Sequence, residues 1–256
     1  MTSSIQRIGT LPWVARTAGQ LSPPERRALI RPLAQVHATM ALGRAAVALR
    51  IDSGRRALVP PIELRRPNSV LTLAAEQEAT RLLSPVLLHH SYRTYLFGVA
   101  VGYLERVDVD RELLFASALL HDTGLRPPVP GMDFTFASAK VALSVAETVG
   151  LSTAATHVMR DAIALHHSPD VTLEGDGPVA YLLSAGAAVD VVGLRSWKLP
   201  PALLDQVVAE YPRLAFKREF GSAVAAEAAA VPRGRMDLLR RYGAFDLAIR
   251  LAPFTE

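Results

Sequence analysis

Five residues stand out for the chemistry they could perform: His90, His121, Asp122, His166 and Asp190. Each falls on a face that helical spacing predicts to be buried. Val86, Leu87, His90, Thr94, Phe97 and Val101 follow one another at steps of three and four, the period of one helix face. Leu114, Ala118 and His121 align in the same way, with Asp122 next in the chain. Met159, Ile163 and His166 share a face, and so do Leu183, Gly186 and Asp190. Asp190 sits in the run Leu182-Leu183-Ser184-Ala185-Gly186-Ala187-Ala188-Val189-Asp190-Val191-Val192. A carboxylate buried there is costly unless it is paired or metal-bound, so a cation must meet it.

Taken singly, each histidine reads as a hydrogen-bonded core residue. Asp122 reads as a polar residue at a helix end, and Asp190 as the partner of an arginine such as Arg93. Taken together, His90, His121, Asp122 and Asp190 make a ligand set for one divalent ion. Two imidazoles and two carboxylates suit Zn first, and Fe, Mn, Ni or Co as well. The chain has no cysteine, which removes disulfides, thiolate ligands and cysteine nucleophiles. A bound divalent ion brings the pKa of a water toward neutrality, and helices fix ligand positions better than loops do.

The elements that would carry these residues are helical. Alternating strand patterns are scarce, and the periodicity predicts helices near 72–83, 85–106, 111–122, 136–149, 153–167 and 178–193. Ser22-Pro23-Pro24-Glu25 is a helix start, with Ser22 as cap and Glu25 at the third position, and one or two helices run from it to about Arg50. Pro60, Pro61 and Pro67 mark a linker, 170–178 a surface turn, and Arg126-Pro127-Pro128-Val129-Pro130-Gly131 a stiff loop suited to a lid or pocket wall. The expected fold is all-α.

Charge divides the chain. Residues 1–66 carry eleven arginines against three acids, a surplus of eight, whereas the whole chain is only +4. This suggests a basic helical N-terminal extension over 1–66 and a metal-binding domain over 67–256, the extension docking on its own or a neighbouring subunit. The arginines are scattered without interleaved aromatics, which argues against a nucleic-acid surface. No apolar run reaches the length of a membrane span and no secretory signal is visible, so the chain reads as cytoplasmic. An alanine-rich helical protein with a charge-asymmetric extension is also expected to form homo-oligomers.

The segments His90-Ser91-Tyr92-Arg93-Thr94-Tyr95-Leu96-Phe97-Gly98, Ala118-Leu119-Leu120-His121-Asp122-Thr123-Gly124, Asp161-Ala162-Ile163-Ala164-Leu165-His166 and Asp190-Val191-Val192-Gly193 resemble the HD superfamily of metal-dependent phosphohydrolases, and within it the cyanamide hydratase branch. The resemblance covers roughly residues 67–256 and implies an HD-type helical bundle. It implies His90, His121, Asp122 and Asp190 as metal ligands and His166 as a pocket residue near the metal. It also implies addition of water to a small nitrile such as cyanamide. The chain departs from the pattern at Phe134-Thr135-Phe136-Ala137-Ser138-Ala139-Lys140. Cyanamide hydratases tend to have Phe-Glu at the start of this helix, and dinuclear members an extra histidine, so a single metal is expected. Small HD nucleotidases often carry an acid where this chain has Leu125, and the GYP signature of cyclic-dinucleotide hydrolases is absent.

Lesser site candidates follow. Arg93, one turn from His90, either holds a substrate oxyanion or pairs with a ligand carboxylate. Lys140 either supplies charge in the second-metal space or runs its stem out to solvent. His167 replaces His166 as the pocket residue if that helix is rotated. Phe134 and Phe136 would wall a small site. His89 and His157 read as non-ligands, and His37 as part of the basic segment. The favoured expectation is a hydratase or hydrolase using one metal-activated water on a small polar substrate, with His166 assisting proton transfer. The alternatives are a nucleotide or phosphomonoester phosphohydrolase, drawing on Arg93, Lys140 and Arg126, and a non-catalytic metal-bound scaffold or sensor using the arginine-rich segment.

Overall fold

The computed structural model describes residues 7–256. Among them are twelve α-helices and no strand beyond two isolated bridges, so the chain is all-α as its periodicity predicts. The helices are α1 (Leu11–Thr17), α2 (Pro23–Ala48), α3 (Val70–Leu82), α4 (Pro85–Glu105), α5 (Arg111–Leu120), α6 (Phe134–Thr148), α7 (Thr153–Leu165), α8 (Leu173–Val192), α9 (Pro201–Glu210), α10 (Phe216–Ala230), α11 (Arg235–Tyr242) and α12 (Phe245–Arg250). Among the described residues, no helix is long and apolar enough to cross a membrane.

The core is organised around α4, which is buried continuously from His90 to Gly102. Burial on every side is what the apolar run from Leu96 to Val101 requires. Its main neighbour is α8, and glycine sets their closeness. A Cβ on Gly186 would meet the Thr94 carbonyl oxygen at 2.0 Å, and one on Gly98 would meet the Leu182 carbonyl at 2.7 Å. The contacts Gly98–Leu182, Thr94–Gly186 and His90–Asp190 therefore step one helical turn at a time along two antiparallel helices. The packing that needs glycine at 186 carries Asp190 to His90 one turn later.

Several boundaries differ from expectation, and the differences matter. α5 stops at Leu120 and α7 at Leu165, so His121, Asp122, His166 and His167 lie just beyond helix ends. α8 begins at Leu173, inside the expected surface turn, and breaks at Gly177 (φ 76°, ψ 170°) before Pro178. The expected start at 178 is its second, buried section. The proline loop 126–131 does not line the main cavity. It is tied by the Gly131 N–H to the Ala230 carbonyl at the end of α10.

The N-terminal helices dock on the rest of the chain. Trp13, Val14, Leu21 and Leu29 form a small second core with Leu238 of α11, and Phe136 packs against it rather than on the main cavity. Trp13 Nε1 donates to Glu25 at 2.7 Å, and Glu25 also accepts from the Ser22 N–H at 2.8 Å. The start of α2 is thus pinned by the acid expected in its first turn. Near its other end, Gly43 lies against the ring of Trp197, where a Cβ would sit 2.2 Å away. Between these anchors, Leu33, Val36, His37 and Met40 line the cavity described below.

Candidate metal centre

His121 and His166 each occupy the residue after a helix end, where the last carbonyls lack intrahelical partners. Each ring folds back to use one of them. His121 Nδ1 lies 2.7 Å from the Ala118 carbonyl and His166 Nδ1 2.8 Å from the Ile163 carbonyl. His90 lies inside α4, and its Nδ1 lies 2.7 Å from Asp190 Oδ2. A carbonyl or carboxylate oxygen can only accept, so each Nδ1 carries the hydrogen and each Nε2 is left with a lone pair.

Those Nε2 atoms converge on Asp122. His90 Nε2 and His121 Nε2 are 3.6 and 3.4 Å from Asp122 Oδ2, and 3.3 Å from each other. His166 Nε2 is 3.7 Å from Asp122 Oδ1. Asp122 is buried, and its Oδ2 accepts no hydrogen bond among the described residues. A buried carboxylate oxygen with no donor is an exception that needs an explanation.

The spacing supplies one. Four ligands at about 2.1 Å from a tetrahedral ion stand about 3.4 Å apart, whereas directly hydrogen-bonded groups would be about 2.7–3.0 Å apart. One ligand atom from each of His90, His121 and Asp122 can be chosen so that all lie within 4.8 Å of one another. These buried donors could hold a metal ion. The C-terminal ends of α5 and α7 both face the cluster, and their partial negative charge favours a cation there. Burial lowers the His121 pKa and sets that of His166 well below the ordinary range, so both rings stay neutral and available as ligands or bases.

Asp190 requires a correction. Expected as the fourth ligand, it stands behind His90, outside the convergent group. Its Oδ1 accepts from Arg93 Nε at 2.8 Å and Arg213 Nη1 at 2.6 Å. Its Oδ2 accepts from Arg93 Nη2 at 2.9 Å and from His90. With four donors on two oxygens, little lone-pair capacity is left for a metal. Burial by itself would raise the Asp190 pKa, but the Arg93 guanidinium, the His90 hydrogen bond and Arg213 hold it far below the usual carboxylate range. The need for a cation is met by arginine. Asp190 holds the His90 ring by its Nδ1, an arrangement that also accompanies histidines that bind metal.

Arg93 takes the second of its two expected roles. It is wholly buried, spends two donors on Asp190 and gives Nη1 to the Tyr211 carbonyl at 2.9 Å, and it does not line the cavity. Lys140 is not a site residue. It is exposed, with Nζ 4.7 Å from the centre of the Phe136 ring. Its position on α6 turns it outward, where its stem covers an aromatic face. Arg126 is likewise exposed and outside the cavity. Both His166 and His167 line the cavity, so neither excludes the other. His167 is buried against Phe134 with no hydrogen bond to either nitrogen, and burial, followed by the charge of Arg235, sets its pKa well below the ordinary range.

The donors open onto a cavity of about 200 Å³. Its walls are mostly apolar and come from α2, α8, α10, α11 and α12, with Phe134 and the four polar residues of the cluster at one part. Three participants escaped the reading of the chain. Arg213 lies in an irregular segment with no periodic signal. The α2 wall was hidden because α2 contains Pro32 and is rich in arginine. Arg195 lines the cavity from beyond the end of α8. The chain matches no protein-family model and no curated protein.

Proposed function

We propose that this chain is a metal-dependent hydrolase or hydratase of HD type, acting with one divalent ion held by His90, His121 and Asp122. The observation that carries the reading is the convergence of three Nδ1-tethered histidines on a buried carboxylate oxygen that has no donor. The chain order His90, His121-Asp122, Asp190 supports the family resemblance, with Asp190 acting through His90 rather than on the metal. A divalent ion held there would supply a Lewis acid and lower the pKa of a bound water toward neutrality.

The remaining roles belong to the chain. Asp190, clamped by Arg93 and Arg213, fixes the tautomer and plane of His90. His166, neutral and with Nε2 turned toward Asp122, accepts the proton of the attacking water and returns it to the product. The apolar walls around the cluster keep bulk water away and strengthen each electrostatic contact inside. The electrophile of this proposal is a polar carbon such as a nitrile or amide. Phosphoester chemistry draws no support from the three cations expected for it, because Arg93 is committed to Asp190 while Lys140 and Arg126 stand outside the cavity.

Protein purified without added metal is expected to contain about one equivalent of a transition metal by mass spectrometry. His121→Ala and Asp122→Ala should lose it with helical content unchanged; a metal-free wild type would sink the reading. His166→Ala should keep the metal and lose turnover, and loss of metal there would make His166 a ligand. Urea from cyanamide and ammonia from a nitrile and amide panel should exceed phosphate release from nucleotides. Phosphate release alone would transfer the function to the phosphohydrolase reading.

A further inference from the structure

The cavity is long. Its α8 wall follows Tyr181, Ser184, Ala188, Val191 and Val192, and Tyr181 to Val192 spans roughly 16 Å at 1.5 Å per residue. Its volume is about 200 Å³. That is below the roughly 300–1,000 Å³ of sites that take drug-sized ligands. Cyanamide would occupy only a small part of such a cavity.

The two ends differ in charge. Among the described lining residues, Asp122 is the only carboxylate and Arg195 the only arginine or lysine. Asp190, which marks the level of His90 on α8, lies nine residues beyond Tyr181, or about 13 Å along the helix. The Arg195 guanidinium lies over the Tyr181 ring, 4.9 Å from its centre. The chain reverses after α8 at Gly193 (φ 73°), and Arg195 itself has φ 68°, which turns it back along the helix it follows. The nearby Glu105 is engaged by Lys198 at 2.8 Å and by the Tyr181 hydroxyl. Arg195 is half-buried and makes no hydrogen bond or salt bridge among the described residues, although its charge acts at longer range on Glu105 and Tyr181. The other buried arginines near the cavity are consumed, Arg93 and Arg213 by Asp190 and Arg235 by Asp133.

We infer that the cavity takes an amphiphile with an anionic end at Arg195, an apolar body along α8, and its reactive group at the His90–His121–Asp122 end. An unpaired guanidinium on an aromatic face, in a partly desolvated position, is a strong site for a carboxylate or phosphate. The wall between the ends has only Ser184 as a polar residue on α8, so a methylene chain or small ring is the body it suits. The placement of the reactive group rests on the metal-centre reading; the anion site at Arg195 does not.

Calorimetric titration of the full-length protein with octanoate, octan-1-ol and octylammonium tests the anion site, before and after removal of metal with EDTA. Stripped protein is expected to bind octanoate at least tenfold more tightly than octylammonium. Arg195→Gln should abolish that preference, Arg195→Lys should keep part of it, and Ala188→Trp should block all three probes by filling the cavity. Equal binding of octanoate and octylammonium to the wild type overturns the inference even if a variant fails to fold. So does octanoate binding that survives Arg195→Gln, or that appears only in metal-loaded protein. A protein with no metal that still binds octanoate through Arg195 keeps this inference and sinks the metal-centre reading.

Discussion

Two buried ionic groups flank the candidate metal centre, and they are built differently. Around Asp190, each carboxylate oxygen accepts two hydrogen bonds, from Arg93, Arg213 and His90. Around Asp133, the accounts do not close. Arg235 donates to Asp133 at 3.1 Å, to Thr135 at 2.9 Å and to the Ala164 carbonyl at 2.7 Å. Glu227 accepts from the Phe134 N–H at 3.0 Å, but its second oxygen has no partner, nor does either nitrogen of His167. The first group carries two cations on one anion and holds His90 still. The second places two acids beside one arginine, and burial together with the Asp133 charge pushes the Glu227 pKa up to about 7. The Asp190 carboxylate is saturated, although Arg213 Nη2 has no partner, whereas on the other side an acid itself is left half-paired and titratable.

The largest effect should come from breaking the saturated group. Asp190→Ala leaves two guanidiniums buried without their anion and is expected to cost about 3–5 kcal/mol, measured by urea unfolding of the metal-free protein. A cost below 1 kcal/mol would show that this group is not the saturated one. Next comes the crossing that delivers Asp190. Gly186→Ala puts a Cβ 2.0 Å from the Thr94 carbonyl and must part α4 from α8, at about 1–3 kcal/mol. It should also weaken metal binding, because His90 loses its orienting carboxylate.

The titratable group predicts a pH dependence. Between its ordinary value of 4.5 and about 7, the folded chain keeps a proton on Glu227 that the unfolded chain has lost. The native state therefore binds more protons, and stability falls as pH rises across that window. Glu227→Gln should remove this contribution, raising stability on the order of 2 kcal/mol at pH 8 and leaving it nearly unchanged at pH 4. Parallel pH–stability curves for variant and wild type would contradict the assignment. The smallest effect is Lys140→Ala, expected within about 0.5 kcal/mol and without change in metal content, since Lys140 touches neither group.

Much of this arrangement was legible in the chain. Helical spacing put His90, His121, His166 and Asp190 on inward faces, and the apolar run around Asp190 demanded a cation. The identity of that cation was not legible, because Arg213 comes from a loop 23 residues away in sequence and periodicity says nothing about loops. The same blindness covers Arg195, whereas the helix that forms the α2 wall was foreseen but not its place against the cavity. Helix ends were misjudged by two residues at each of His121 and His166. The error matters chemically, because lying past the end is what turns each Nδ1 back to a carbonyl.

By itself, then, the sequence determined an all-α chain and which polar side chains its helices must bury, since both follow from local period and from the cost of burying charge. Tertiary structure alone decided what each buried group meets. Glycine-mediated contact of α4 with α8 brought Asp190 to the far nitrogen of His90, arginines from two different segments closed around it, and the Nε2 lone pairs of His90, His121 and His166 were left facing Asp122. Contacts of that kind depend on the register and crossing of distant segments, which no local pattern encodes.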